Sequence, residues 1–156
     1  NDYGGYGHPD HIQVNRMTVA AFHAAGDPTQ YPDIGPAPWQ PQKLYYIAYP
    51  RSYIIMRYEL MRSLGEPTPM DRPDFDPRKV GGVPDEDITT RIDIRPYLSH
   101  KMQALRCHRS QIAPTWWFLR LPPDAQYDKF SEECFVLVAS HVPVRLPETD
   151  LFQELR

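Results

Sequence analysis

The chain has 156 residues, a length that suits one modest domain around one hydrophobic core. A formal net charge of -3 with a pI near 6.1 leaves no basic footprint for nucleic acid. No apolar run approaches the roughly 18–20 residues that span a bilayer, and no secretory leader pattern is visible, so neither nucleic acid nor membrane is expected as a partner and the expected setting is cytoplasmic.

Asn1 is not a methionine, and a motif dense in reactive groups follows at once, so the sequence reads as a fragment or a processed chain. That motif is Tyr3-Gly4-Gly5-Tyr6-Gly7-His8-Pro9-Asp10-His11. Its glycines permit a tight turn and close backbone approach. From His8 to Gly26 the pattern predicts a helix. Pro9 suits the first helical position, where a missing N–H costs nothing. Ile12, Val14, Met17, Val19 and Phe22 supply apolar positions, and Gly26 a stop. Residues 27–42 carry Pro28, Pro32, Pro36, Pro38 and Pro41 and are expected to be an irregular loop.

Lys43 to Tyr49 (KLYYIAY) predicts a buried strand that Pro50 ends. Ser52 is placed to cap a helix that runs to Leu64, with Gly65 just past its end. Residues 66–87 again hold prolines and the pair Gly81-Gly82, so no long regular element fits there. Thr89–Ile94 reads as a short strand. Asp93 and Pro96 open a helix expected through Ser110, with Leu98, Met102, Leu105 and Ile112 as its stripe and His108 on the same side. Trp116, Trp117, Phe118 and Leu119 form a short apolar cluster, read as core or interface rather than a sugar-stacking platform. A turn of helix is expected over 122–133 and a strand over Phe135–Ala139. Cys107 and Cys134 are too few for a disulfide framework and read as reduced structural thiols. Strands alternating with helices predict an α/β fold with a largely parallel sheet. So few strands make an incomplete doubly wound domain.

The opening motif holds the chemistry. If His8 caps the helix, His11 lies one turn on, and both imidazoles face one pocket. Imidazole suits zinc. Asp10 is placed to bond a ring N–H and fix one tautomer. Such a pair serves equally as plain polar capping, and on these residues alone the motif is either that or part of a metal or anion site. His23, His100, His108 and His141 show no ligand spacing.

The motif as a whole resembles the second signature of the LmbE/PIG-L family of zinc-dependent N-acetylglucosamine deacetylases. Ile88–Asp93, then Lys101–Gln111 (KMQALRCHRSQ), then Glu148-Thr149-Asp150-Leu151-Phe152 are similar to its mycothiol branch, which holds a deacetylase and a mycothiol S-conjugate amidase; the tail is closer to the amidase. The resemblance implies a Rossmann-like α/β fold. It implies His11 as a zinc ligand and His8 as the histidine that protonates during amide cleavage. It implies Asp10 as the carboxylate that orients His8, and Tyr6 as a mobile tyrosine that binds substrate and stabilises the oxyanion. The substrate class is an N-acyl glucosamine conjugate, hydrolysed by zinc-activated water; iron is the other metal that such a donor set accepts.

The family's first signature, Ala-His-Pro-Asp-Asp-Glu, is absent from these 156 residues. It supplies two further ligands and the general base. The chain therefore reads as the C-terminal part of such an enzyme, inert by itself until the missing N-terminal half, or a neighbouring subunit of a homo-oligomer, completes the site. The alternative is a non-catalytic structural or binding subunit. The loops at 27–42 and 66–87 read equally as substrate walls and as surface connections. His108 reads as a structural hydrogen-bonding group or as a substrate or subunit contact.

Overall fold

The computed structural model describes every residue of the chain except 31, 34, 36, 123, 124 and 126–129. A single turn, α1 (Gly4–Gly7), leads into the helix α2 (Pro9–Ala24). Pro9 takes the first helical position and His8 the cap, as the sequence predicts. The helix closes with Ala25 N–H donating to Ala21 O at 2.9 Å. Gly26 follows for a packing reason: a Cβ there would lie 2.0 Å from Gln40 Oε1. Gln40 Nε2 in turn donates to Phe22 O at 3.2 Å.

Three strands form one sheet in the order β1 (Lys43–Ala48), β3 (Glu132–Ser140), β2 (Thr90–Asp93). Both ladders are antiparallel, with Tyr45 opposite Leu137 and Arg91 opposite Cys134. The largely parallel sheet expected from alternating strands and helices is thus corrected for the described strands. The last strand in sequence occupies the centre and runs against both neighbours. Alternation along the chain fixes element types, whereas direction depends on which strands meet. The α/β character itself holds. A bulge between Leu44 and Tyr45 shifts the β1–β3 register.

Helix α3 (Arg51–Ser63) begins one residue before the expected cap. Its first turn is capped from far away in sequence: Asp85 accepts the Ser52 N–H at 3.1 Å and also the Ser52 hydroxyl. Gly65 sits at φ 74°, the left-handed position past the helix end that favours glycine. Helix α4 (Leu98–Cys107) follows a 3-10 turn at Arg95–Tyr97 and stops three residues short of Ser110. Half of the span 122–133, where a helical turn is expected, lies outside the described residues, and Glu132 and Glu133 at its end belong to β3.

Two apolar clusters hold these elements. Leu98 and Met102 of α4 pack with Trp117, Phe118 and Leu121, against Leu60 and Met61 of α3 and Leu64 at its C-terminal cap. Trp117 is therefore core, as read from the sequence. On one face of the sheet, Ala48, Ile88 and Cys134 pack with Tyr53, Val83 and Val136. Both cysteines are free thiols, Cys134 buried and Cys107 exposed. Burial raises the Cys134 pKa, which keeps it an inert thiol. The segment 66–87 is three 3-10 turns, at Pro69–Asp71, Pro77–Lys79 and Asp85–Asp87. Its first two turns line a shallow hollow of about 230 Å³ with Tyr58, Arg72 and Lys79. No described helix is long and apolar enough to cross a membrane.

Candidate functional site

The opening motif folds as a hooked turn over the start of α2. Gly4 N–H donates to Asn1 O and Gly7 N–H to Tyr3 O, each at 2.9 Å. Gly4 is buried at φ 66°, so close to the helix that a Cβ would lie 2.8 Å from Ile12 N and 2.9 Å from His11 Cβ. Only glycine fits that approach. The sequence marks Gly4 as one loop glycine among several; its particular contact, seven residues from His11, leaves no local signal.

This hook brings three predicted residues together. The Tyr6 ring meets the His11 ring edge-on at 4.9 Å, and the His8 and His11 rings lie 5.1 Å apart. Tyr6 is 6.0 Å from His8. All three side chains face solvent. His8 Nδ1 accepts the backbone N–H of Asp10 at 3.2 Å, which satisfies one open donor of the helix start. With that lone pair engaged, the neutral ring carries its proton on Nε2. The Asp10 carboxylate is exposed, its Oδ2 4.0 Å from the same Nδ1, beyond hydrogen-bond reach. Asp10 thus sets the tautomer of His8 through its backbone. Its carboxylate becomes a partner only when the ring gives up the amide.

His108 is not part of this cluster of rings. It is the exposed C-terminal cap residue of α4, and its backbone oxygen accepts from Gln111 and Ile112. Among the described residues no three His, Cys, Asp or Glu side chains are grouped to hold a metal ion. His11 offers an imidazole, His8 already uses one nitrogen, and the described residues do not make a metal site by themselves.

The chain is 38% identical over 155 residues to a 1D-myo-inositol 2-acetamido-2-deoxy-alpha-D-glucopyranoside deacetylase of Thermobifida fusca (strain YX), a match that covers 97% of this chain and 52% of that one. It is 42% identical over 137 residues to the enzyme of the same name from Rhodococcus jostii (strain RHA1), covering 86% and 45%. Over most of its length the chain is thus homologous to the C-terminal half of deacetylases of the LmbE/PIG-L family. The Geodermatophilus obscurus family member is 36% identical over 138 residues, covering 88% of this chain and 47% of that one. The chain spans about half the length of the curated relatives it matches. No protein-family model matches it.

Proposed function

We propose that this chain carries part of the active site of a metal-dependent amidase. The whole protein hydrolyses the acyl amide of an N-acyl glucosamine conjugate, with deacetylation as the first choice and conjugate amidase chemistry as its variant. The observation that carries this reading is the Tyr6–His8–His11 cluster in a chain 38% identical to a relative whose name specifies a 2-acetamido glucopyranoside substrate. For the whole domain the resemblance supports a Rossmann-like, largely parallel sheet outside the strands described above, and a cytoplasmic setting.

Zinc, or iron in its place, activates water and polarises an amide carbonyl when bound at such a site. In this proposal His11 gives one ligand, and the remaining ligands and the base come from the other half of the protein or a neighbouring subunit. This chain's own residues do the rest. Tyr6, on a turn with glycines at φ 79° and 85° either side, presents its hydroxyl to the developing oxyanion. His8 gives a proton to the departing nitrogen as the C–N bond breaks, leaving a free amino sugar and a carboxylate. The proton leaves from Nε2 of the doubly protonated ring, and the neutral ring that remains keeps its proton on Nδ1, where the Asp10 carboxylate is near enough to steady it. Exposed His108 remains a candidate substrate contact.

The test joins this chain to the preceding half of the Thermobifida fusca relative and measures acetate release from an N-acetylglucosaminyl inositol. His8→Ala is expected to keep metal and lose turnover by about 10²–10⁴-fold. His11→Ala is expected to lose metal. Equal metal loss in both variants, or a metal-loaded joined protein that releases no acetate, overturns the reading.

A further inference from the structure

The segment 66–87 has no long regular element, and a loop of that length in a compact domain is ordinarily either functional or disordered. Here its turns are locked. Thr68 N–H donates to Asp71 Oδ2 at 2.7 Å, and Asp71 also pairs with Arg62 at 3.2 Å. Asp76 accepts the Arg78 N–H at 3.0 Å and two guanidinium N–H groups of the same residue at 3.0 and 3.1 Å. Near the far end Gly82 lies at φ 97°, so close to the chain that an added Cβ would stand 2.7 Å from Tyr49 O. Val83 N–H donates to that same oxygen at 2.9 Å. Walls fixed in this way need little ordering when a ligand arrives.

The fixed segment and α3 enclose the hollow of about 230 Å³, and two cations line it, Arg72 and Lys79. Neither has an ion-pair partner among the described residues, whereas Arg62 and Arg78 beside them are paired. The turns set where the two side chains start: Arg72 N–H donates to Pro69 O at 3.2 Å and Lys79 N–H to Asp76 O at 3.0 Å. Two carboxylates share the lining. Asp76 is balanced by Arg78, so the two cations are left to outweigh Asp74 alone. Half-buried Phe75 and Tyr58 and buried Val80 supply apolar wall. The Tyr58 hydroxyl has no hydrogen-bond partner among the described residues. None of these groups belongs to the ring cluster at the start of α2.

A guanidinium, an ammonium and a phenol are all donors, and two positive charges match a phosphate dianion. Arginine grips phosphate oxygens through its planar fork, and lysine adds a point charge. The aromatic walls match a flat apolar body. The volume lies below the about 300–1,000 Å³ of ordinary ligand pockets, which suits one ring and one phosphate rather than a nucleotide cofactor. We propose that this hollow binds a small phosphate monoester of a flat apolar ring, with the phosphate on Arg72, Lys79 and the Tyr58 hydroxyl and the ring against Phe75. The proposal does not depend on the amidase reading.

Phenyl phosphate, inorganic phosphate and benzoate are titrated into this chain, and binding is followed by the amide shifts of Lys79, Val80, Gly81 and Gly82 in its nitrogen–proton spectrum. Phenyl phosphate is expected to shift these amides saturably and to bind tighter than either of the other two. Arg72→Gln and Lys79→Gln are each expected to weaken it about tenfold, the factor that a lost hydrogen bond to a charged group corresponds to. Arg106→Gln removes an exposed cation of α4 and is expected to change nothing. Asp74→Asn is expected to tighten binding, since it removes the one unbalanced negative charge. Phe75→Leu is expected to weaken phenyl phosphate about three- to tenfold and leave inorganic phosphate unchanged. No saturable shift at these amides overturns the proposal, as does equal loss in Arg106→Gln and Arg72→Gln, which would mark diffuse charge attraction. Benzoate binding as tightly as phenyl phosphate overturns the phosphate assignment. Inorganic phosphate binding as tightly overturns the role of the ring.

Discussion

Nζ of Lys43 lies 2.6 Å from Oε1 of Glu148, with the lysine side chain 3% and the glutamate side chain 0% exposed. Tyr45 Oη donates to the other carboxylate oxygen at 2.7 Å, and Thr90 Oγ1 to the same oxygen at 3.2 Å. Lys43 also donates to Gln153 O at 2.6 Å. The backbone joins in: Glu148 N–H donates to Thr89 O, and Arg91 N–H to Glu148 O. Glu148 thus ties the C-terminal segment to β1 and β2, the two outer strands of the sheet.

Removing either charge leaves the other buried and unpaired, which costs about 3–5 kcal/mol where a buried pair is broken. Glu148→Ala is expected to lower stability by that order in urea unfolding. The double variant Lys43→Met with Glu148→Leu is expected to recover much of the loss, because an apolar pair replaces a satisfied ionic one. If the single and double variants lose equal stability, the charge pairing contributes little and side-chain packing alone accounts for the loss.

The same group sets an acid limit. Burial opposes ionisation of Glu148, yet the bonds from Lys43, Tyr45 and Thr90 outweigh it and hold the pKa below its ordinary 4.5. The folded-state value lies below the unfolded one. Its contribution is therefore complete above about pH 4.5 and is lost as pH falls through the folded-state value. Unfolding free energy measured from pH 7 to 3 should fall on the acid side, and the fall should be shallower in the Lys43→Met, Glu148→Leu variant. An identical acid slope in both proteins places the acid sensitivity elsewhere.

Much of this frame is legible in the sequence, and the exceptions have physical causes. Pro9 opens α2, Pro50 follows β1 and Gly65 follows α3 as expected, because a missing N–H and a left-handed φ act within a residue or two. The strand over 90–93 and the core role of Trp117 follow from apolar pattern. Sheet direction does not, since β3 chooses both its neighbours through tertiary packing. The cap of α3 is hidden too: Asp85 stands thirty-three residues from the Ser52 N–H it accepts. The ring cluster was half legible. The spacing of His8 and His11 predicts one pocket, and the rings do meet, but the roles of Gly4 and of the Asp10 backbone appear only in three dimensions.

Gly4 gives the sharpest local test. At φ 66°, alanine there meets left-handed strain of about 1–2 kcal/mol and a clash with His11 and Ile12. Gly5, at φ 79° with nothing within 4 Å of an added Cβ, offers the strain without the clash. Gly4→Ala is expected to separate the Tyr6 and His11 rings, seen as loss of the ring-current shift on the His11 ring protons. Gly5→Ala should keep that shift at a similar cost in thermal stability. Retention of the shift in Gly4→Ala would show that the cluster does not need the close approach.

Tyr6→Phe separates the ring from its hydroxyl. The edge-on contact with His11 at 4.9 Å belongs to the ring and should survive, so the fold and the metal content of the joined protein should not change. The hydroxyl is the group assigned to the oxyanion, and deleting one such donor costs about 10²–10³-fold in kcat. A donor used only in the transition state lowers kcat and kcat/KM together with KM nearly constant. That pattern is the expected result with an N-acetylglucosaminyl inositol substrate. A rise in KM with kcat intact would instead make Tyr6 a substrate-binding residue, and no change in either would reduce its part to packing against His11.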